Sequence, residues 1–139
     1  MKHLLALPLV LVICALPFLV ACPSLGPKVD DLALFEPAQV TWSAVENDLL
    51  RGIEDGVSEG DLMPAAADNL RASADGMELA LREKDRDALR LSPWSELEPW
   101  ADRGIDDKLA DGEIGPGVAS SLREQLANFT NIVNKLRGL

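Results

Sequence analysis

Apolar side chains recur along the chain at helical spacing. Val45, Leu49, Ile53 and Val57 form one stripe, and Leu97, Ala101, Ile105 and Leu109 form another. A repeat of this period lines one face of an α-helix. Two further faces follow: Ala66, Leu70, Ala74, Met77 and Leu81, then Val118, Leu122, Leu126, Phe129, Ile132, Val133 and Leu136. No stretch sustains period-two alternation and β-branched residues are sparse, so strands are not expected.

These stripes belong to an internal duplication. Residues 42–71 align without a gap onto residues 94–123, with twelve identities in thirty positions; chance gives roughly two, and self-similarity on this scale sets an architecture. Arg51/Arg103, Gly52/Gly104, Gly60/Gly112 and Pro64/Pro116 are among the identical pairs. Gly60 and Gly112 suit the left-handed residue that ends a helix, and Pro64 and Pro116 suit the first turn of the next one. Ser43-x-x-Glu46 and Ser95-x-x-Glu98 have the form of capping boxes, so helix starts are expected there, with Pro99 as the alternative start of the second helix. Each unit therefore reads as helix, tight turn, helix, over residues 42–81 and 94–136. Two such hairpins predict an all-α fold, an antiparallel four-helix bundle. Gly52 and Gly104 flank the stripe and are expected to admit a close backbone approach, at about 1 kcal/mol each in helix propensity. In such a bundle both intra-hairpin turns share one end. The preceding segment, the 82–93 connection and the C-terminus share the other.

The first 22 residues differ from the rest. Met1-Lys2-His3 is a basic start, residues 4–20 carry no charge, and Leu19-Val20-Ala21-Cys22 places small residues before a cysteine. This is the pattern of a cleavable export signal. The uncharged run is near the lower limit for crossing a membrane, and Pro8 and Pro17 interrupt it, which weighs against an uncleaved anchor. Leu19-Val20-Ala21-Cys22 resembles the lipobox of bacterial lipoproteins. That resemblance implies cleavage between Ala21 and Cys22, a diacylglycerol on the Cys22 thiol and often an acyl chain on the new amine. It also implies a place in the cell envelope: the outer membrane facing the periplasm in a Gram-negative cell, otherwise the outer face of the cell membrane. It covers residues 1–22 only. Two acyl chains make attachment stable where one is marginal. Residues 22–41, with Pro23, Gly26, Pro27 and Pro37, are expected to be a tether with one helical turn around residues 31–35.

Removal of the signal changes the chemistry. Cys14 and His3 leave with it and lipid consumes Cys22, so no free thiol or imidazole remains. Internal disulfides, Cys/His zinc sites and His-dependent triads are thereby excluded. Twelve basic side chains then face 23 acidic ones, a net charge of −11, which disfavours nucleic acid as a partner. Paired carboxylates are the one catalytic chemistry with enough residues, and they cluster at turns rather than in apolar pockets, so no enzymatic activity is expected.

The acidic turns are the candidate site. Asp55, Glu59 and Asp61 lie in one, and Asp107, Asp111 and Glu113 in the other. Carboxylates at a helix C-terminus oppose the macrodipole, and a rule broken without local compensation can mark function. The plain alternative is a solvated tip that keeps a small domain soluble. Asp107-x-Leu109-x-Asp111-Gly112-x-Ile114 overlays part of an EF-hand loop, but Val118 stands where the bidentate glutamate belongs, so only weak Ca²⁺ or Mg²⁺ binding is entertained and no other cofactor. The opposite end gathers Arg82, Lys84, Arg86, Arg90, Lys135 and Arg137, a positive charge that Glu83, Asp85 and Asp87 dilute. Trp42 and Trp94 are expected there as packing residues, with contact to lipid head groups as the alternative. The expected function is a lipid-tethered, non-catalytic helical module that meets a protein partner. The alternatives are a phage-encoded lipoprotein acting in lysis or superinfection exclusion, a weak cation binder and, last, a carboxylate-based hydrolase.

Overall fold

The computed structural model describes residues 29–138. The stretch expected to be an export signal and the expected lipidation site at Cys22 lie outside them. Among the described residues the fold is all-α, with five helices: α1 (Val29–Ser58), α2 (Pro64–Glu83), α3 (Arg86–Leu91), α4 (Trp94–Ala110) and α5 (Pro116–Arg137).

The duplication is visible in the backbone. Gly60 and Gly112 both adopt positive φ, at 83° and 73°. Their N–H groups donate to the Val57 and Leu109 carbonyls, which are equivalent positions, and the Leu62 and Ile114 N–H groups reach back to Gly56 and Lys108. Pro64 and Pro116 open α2 and α5, where the missing N–H has no helical partner to lose. The tight turns therefore follow the sequence expectation residue by residue.

The start of the first unit does not. α1 begins at Val29, thirteen residues before Trp42, and runs straight through Pro37. The stretch expected as a tether is thus helical from Val29, and Phe35 and Ala38 on it are fully buried. Proline removes one backbone donor, and packing of this face against the rest of the domain outweighs that loss. Ser43 consequently lies inside α1 and caps nothing. In the second unit the helix starts at Trp94 with Pro93 before it, and no side chain caps that end. Both capping-box expectations are corrected. The 82–93 connection contains α3, capped by Asp85, whose Oδ1 accepts from the Ala88 N–H at 2.9 Å.

The core comes from the predicted stripes, with Leu49, Ile53, Leu97, Ile105, Phe129 and Val133 fully buried. Each such side chain contributes about 1.5–3 kcal/mol through removal from water. Val118 departs from its stripe and is exposed. Trp42, Trp94 and Phe129 form an aromatic cluster, with ring centroids 6.5 Å apart for the two tryptophans and 4.9 Å for Trp94–Phe129. Trp42 and Trp94 are 4% and 1% exposed, so they pack the core and cannot rest on lipid head groups.

Helix pairing departs from a square four-helix bundle, in which alternate helices are diagonal. α1 makes its most extensive contact with α4, the equivalent helix of the other unit, while the backbones of α2 and α5 stay more than 8 Å apart, Cα to Cα. The reason lies at Gly52 and Gly104. Each is buried, and a Cβ on Gly52 would overlap the Trp100 carbonyl oxygen, as one on Gly104 would overlap that of Asp48. Two missing side chains let the equivalent helices meet backbone to backbone. α2 and α5 then flank this central pair, and α3 bridges them.

Candidate functional site

The six candidate carboxylates are organised by two residues that sequence reasoning left unassigned, Arg51 and Arg103. Both sit on the central helix pair, one residue before the glycine contact. Arg51 Nε lies 2.6 Å from Asp55 one turn along its own helix. Its Nη2 crosses to the other unit's turn, 2.5 Å from Asp111 and 3.1 Å from Glu113. Arg103 does the same in reverse: Nη2 is 2.6 Å from Glu59, Nη1 is 2.9 Å from Asp61 and Nε is 3.5 Å from Asp107. Each arginine thus holds one acid of its own helix and two of the other turn. An offset of 52 residues converts one set of partners into the other.

This clasp supplies the compensation that seemed absent. Carboxylates at the ends of α1 and α4 oppose the helix dipoles, and a guanidinium from the crossing helix neutralises them in charge-assisted pairs. Hydrogen bonding to Asp55 raises the Arg51 pKa, and hydrogen bonding to Asp61 raises that of Arg103. Burial pushes Asp107 up, Arg103 opposes this, and Asp55 and Glu59 add to it. That coupling places the acids of both turns in one electrostatic neighbourhood. The Arg103 guanidinium also lies over Trp100, 5.5 Å from the ring centroid.

The site therefore already contains its own cations. For a divalent ion to bind, the carboxylates would have to release their guanidinium partners, and among the described residues no group of three or more His, Cys, Asp or Glu is arranged to hold a metal. The outer carboxylates remain accessible, with Glu59, Asp61 and Asp111 more than half exposed.

Around the clasp the two units diverge. On one side Lys108 reaches Asp48 at 2.7 Å, and Asp48 is only 4% exposed. On the other side the equivalent positions are Gly56 and Trp100, and the indole packs over the glycine. A buried ion pair and an aromatic contact thus fill related spaces. Farther out, Trp94 Nε1 donates to Thr130 Oγ1 at 3.0 Å, and Thr130 donates to Glu98 at 2.8 Å. This relay ties α4 to α5. The identity of Arg51/Arg103 and Asp55/Asp107 at an offset of 52 residues hinted at the clasp; the other contacts each depend on at least one residue type that differs between the units, Asp48/Trp100, Gly56/Lys108 or Glu78/Thr130.

No family model matches the chain, and neither a curated protein nor a solved structure shows significant similarity to it.

Proposed function

We propose that the protein is a lipid-anchored, non-catalytic component of the cell envelope, a duplicated helical-hairpin module that presents its surface to a protein partner. The observation that carries this reading is Leu19-Val20-Ala21-Cys22, placed after a basic start and an uncharged run. Two others support it. Among the described residues no helix is long and apolar enough to cross a membrane. Beyond Cys22 the sequence holds neither histidine nor a further cysteine, which removes the commonest acid–base and nucleophilic groups.

The geometry bears on orientation. Gln39 on α1 donates to the Leu81 carbonyl near the end of α2. Arg86 at the start of α3 donates to the Leu136 carbonyl near the end of α5. The N-terminal part of α1 therefore shares an end with the basic groups Arg82, Lys84, Arg86, Lys135 and Arg137. Only six residues separate Cys22 from Val29, and in any conformation they span no more than about 25 Å. A lipid on Cys22 would hold the basic end near the membrane.

The test is metabolic labelling of the full chain with a radioactive fatty acid. Label is expected in the membrane fraction, and none in the Cys22→Ser variant. Label that persists in that variant, or is absent from both, overturns the reading. Capture of envelope proteins by the full chain, compared with a Glu59→Lys/Asp111→Lys variant checked for helicity, tests the acidic turns as the partner surface. Equal capture by both removes that assignment.

A further inference from the structure

The two units treat their tryptophans differently. In the second, Thr130 accepts from the Trp94 indole and donates to Glu98. In the first, Trp42 and Glu46 hold the equivalent positions, but Glu78 replaces the threonine. The relay is not formed. Trp42 is 4% exposed, and among the described residues its indole N–H has no hydrogen-bond partner. Leaving a buried donor without a partner is costly, so the position calls for an acceptor.

Trp42 walls a groove of about 390 Å³ between α1 and the C-terminal end of α2, which is also lined by Gln39, Glu46, Glu78, Arg82 and Lys84. The charged groups there are balanced, two of each sign. Burial raises the Glu46 pKa, and Glu78 and Asp75 add to it, as expected of a partly buried carboxylate that faces like charge. In the other unit Thr130 closes the polar chain between the Trp94 indole and Glu98.

We propose that this groove binds a small zwitterion. Its ammonium group sits between Glu46 and Glu78, its anionic group, a phosphate or carboxylate, turns toward Arg82 and Lys84, and one of its oxygens accepts from the Trp42 indole. An ammonium group satisfies two carboxylates that repel each other, and the ligand oxygen does what Thr130 does in the second unit. A lone cation would leave Arg82 and Lys84 opposed to it, and a lone anion would meet the two glutamates. The assignment does not depend on lipid at Cys22.

Indole N–H resonances of the full chain in neutral detergent provide the test, with Trp42 identified through Trp42→Phe. Phosphoethanolamine represents a phospholipid head group, and glycine a free amino acid. Ethanolamine and inorganic phosphate are the separate halves. A saturable shift of the Trp42 resonance with either zwitterion, larger than with either half, is expected, and the zwitterion that produces it names the source. Glu78→Thr, which rebuilds the Thr130 arrangement, should weaken binding about tenfold or more, a loss on the scale of one charge-assisted hydrogen bond. Glu78→Gln, which keeps the shape and removes the charge, should weaken it likewise. No shift at millimolar zwitterion, an equal response to ethanolamine alone, or unchanged binding in both variants overturns the proposal.

Discussion

Gly52 and Gly104 occupy the same position in the two units and lie against each other where α1 meets α4. The rest of the fold is arranged around this contact, because it brings Arg51 and Arg103 within reach of the opposite turns. Alanine at either glycine adds one carbon in a space already filled by backbone carbonyls, which cannot rotate away as a flexible side chain would. Gly52→Ala and Gly104→Ala should each destabilise by about 3 kcal/mol or more in urea denaturation, at the upper end for overpacking. Gly76→Ala is the control. Nothing would meet its Cβ, and it lies exposed inside α2; there the substitution should stabilise by about 0.5–1 kcal/mol through helix propensity.

The Asp48–Lys108 pair predicts an asymmetry between single and double substitution. Lys108→Met leaves a buried carboxylate without its cation and should cost about 3 kcal/mol. Asp48→Leu combined with Lys108→Met removes both charges, and the loss should largely disappear. Equilibrium denaturation of the three proteins measures this directly. A double variant no better than the single one would show that Asp48 is held by something other than the lysine.

The clasp makes a prediction about pairing. Arg51→Ala and Asp111→Ala should be strongly non-additive in thermal melting, because they remove the same contact. Arg51→Ala and Glu59→Ala should add, since Glu59 belongs to Arg103. Carboxylates this exposed are screened by salt. The deficit of Arg51→Ala relative to the unaltered protein should therefore shrink as ionic strength rises.

Glu46 carries a pH signature. Its pKa is raised above the ordinary value of 4.5, so the folded protein holds this proton more tightly than the unfolded chain. The folded state therefore pays for the charge once pH exceeds the folded pKa, and not below 4.5, where both states are protonated. Glu46→Gln should stabilise at neutral pH, and its advantage should close as pH falls toward and below that value. Thermal melts across this range check the sign.

The parts of the fold legible in the sequence were local. Gly60, Gly112, Pro64 and Pro116 act within a few residues of themselves, and their roles followed from φ and from a missing N–H. The apolar stripes likewise named most of the core. Three features escaped for physical reasons. Pro37 reads as a helix breaker, yet burial of Phe35 and Ala38 carries α1 through it, a tertiary effect that local propensity does not contain. The six residues of α3 are too few to show a period. The partners of Arg51 lie up to 62 residues away, and nothing near Asp111 announces that a guanidinium will cover it. Ser43 misled for a related reason: a capping box marks a start only where the chain before it is not already helical, and α1 is helical from Val29.

The reciprocal clasp has a consequence for the hairpins taken singly. Each supplies the arginine that the other's turn needs, and each offers the glycine on which the other rests. That is the form of an isologous interface, in which one surface complements a second copy of itself. A hairpin cut from this chain would be an incomplete object seeking its twin. Joining both copies covalently frees them from having to be the same. Asp48 against Trp100, Gly56 against Lys108 and Glu78 against Thr130 are where the chain has used that freedom.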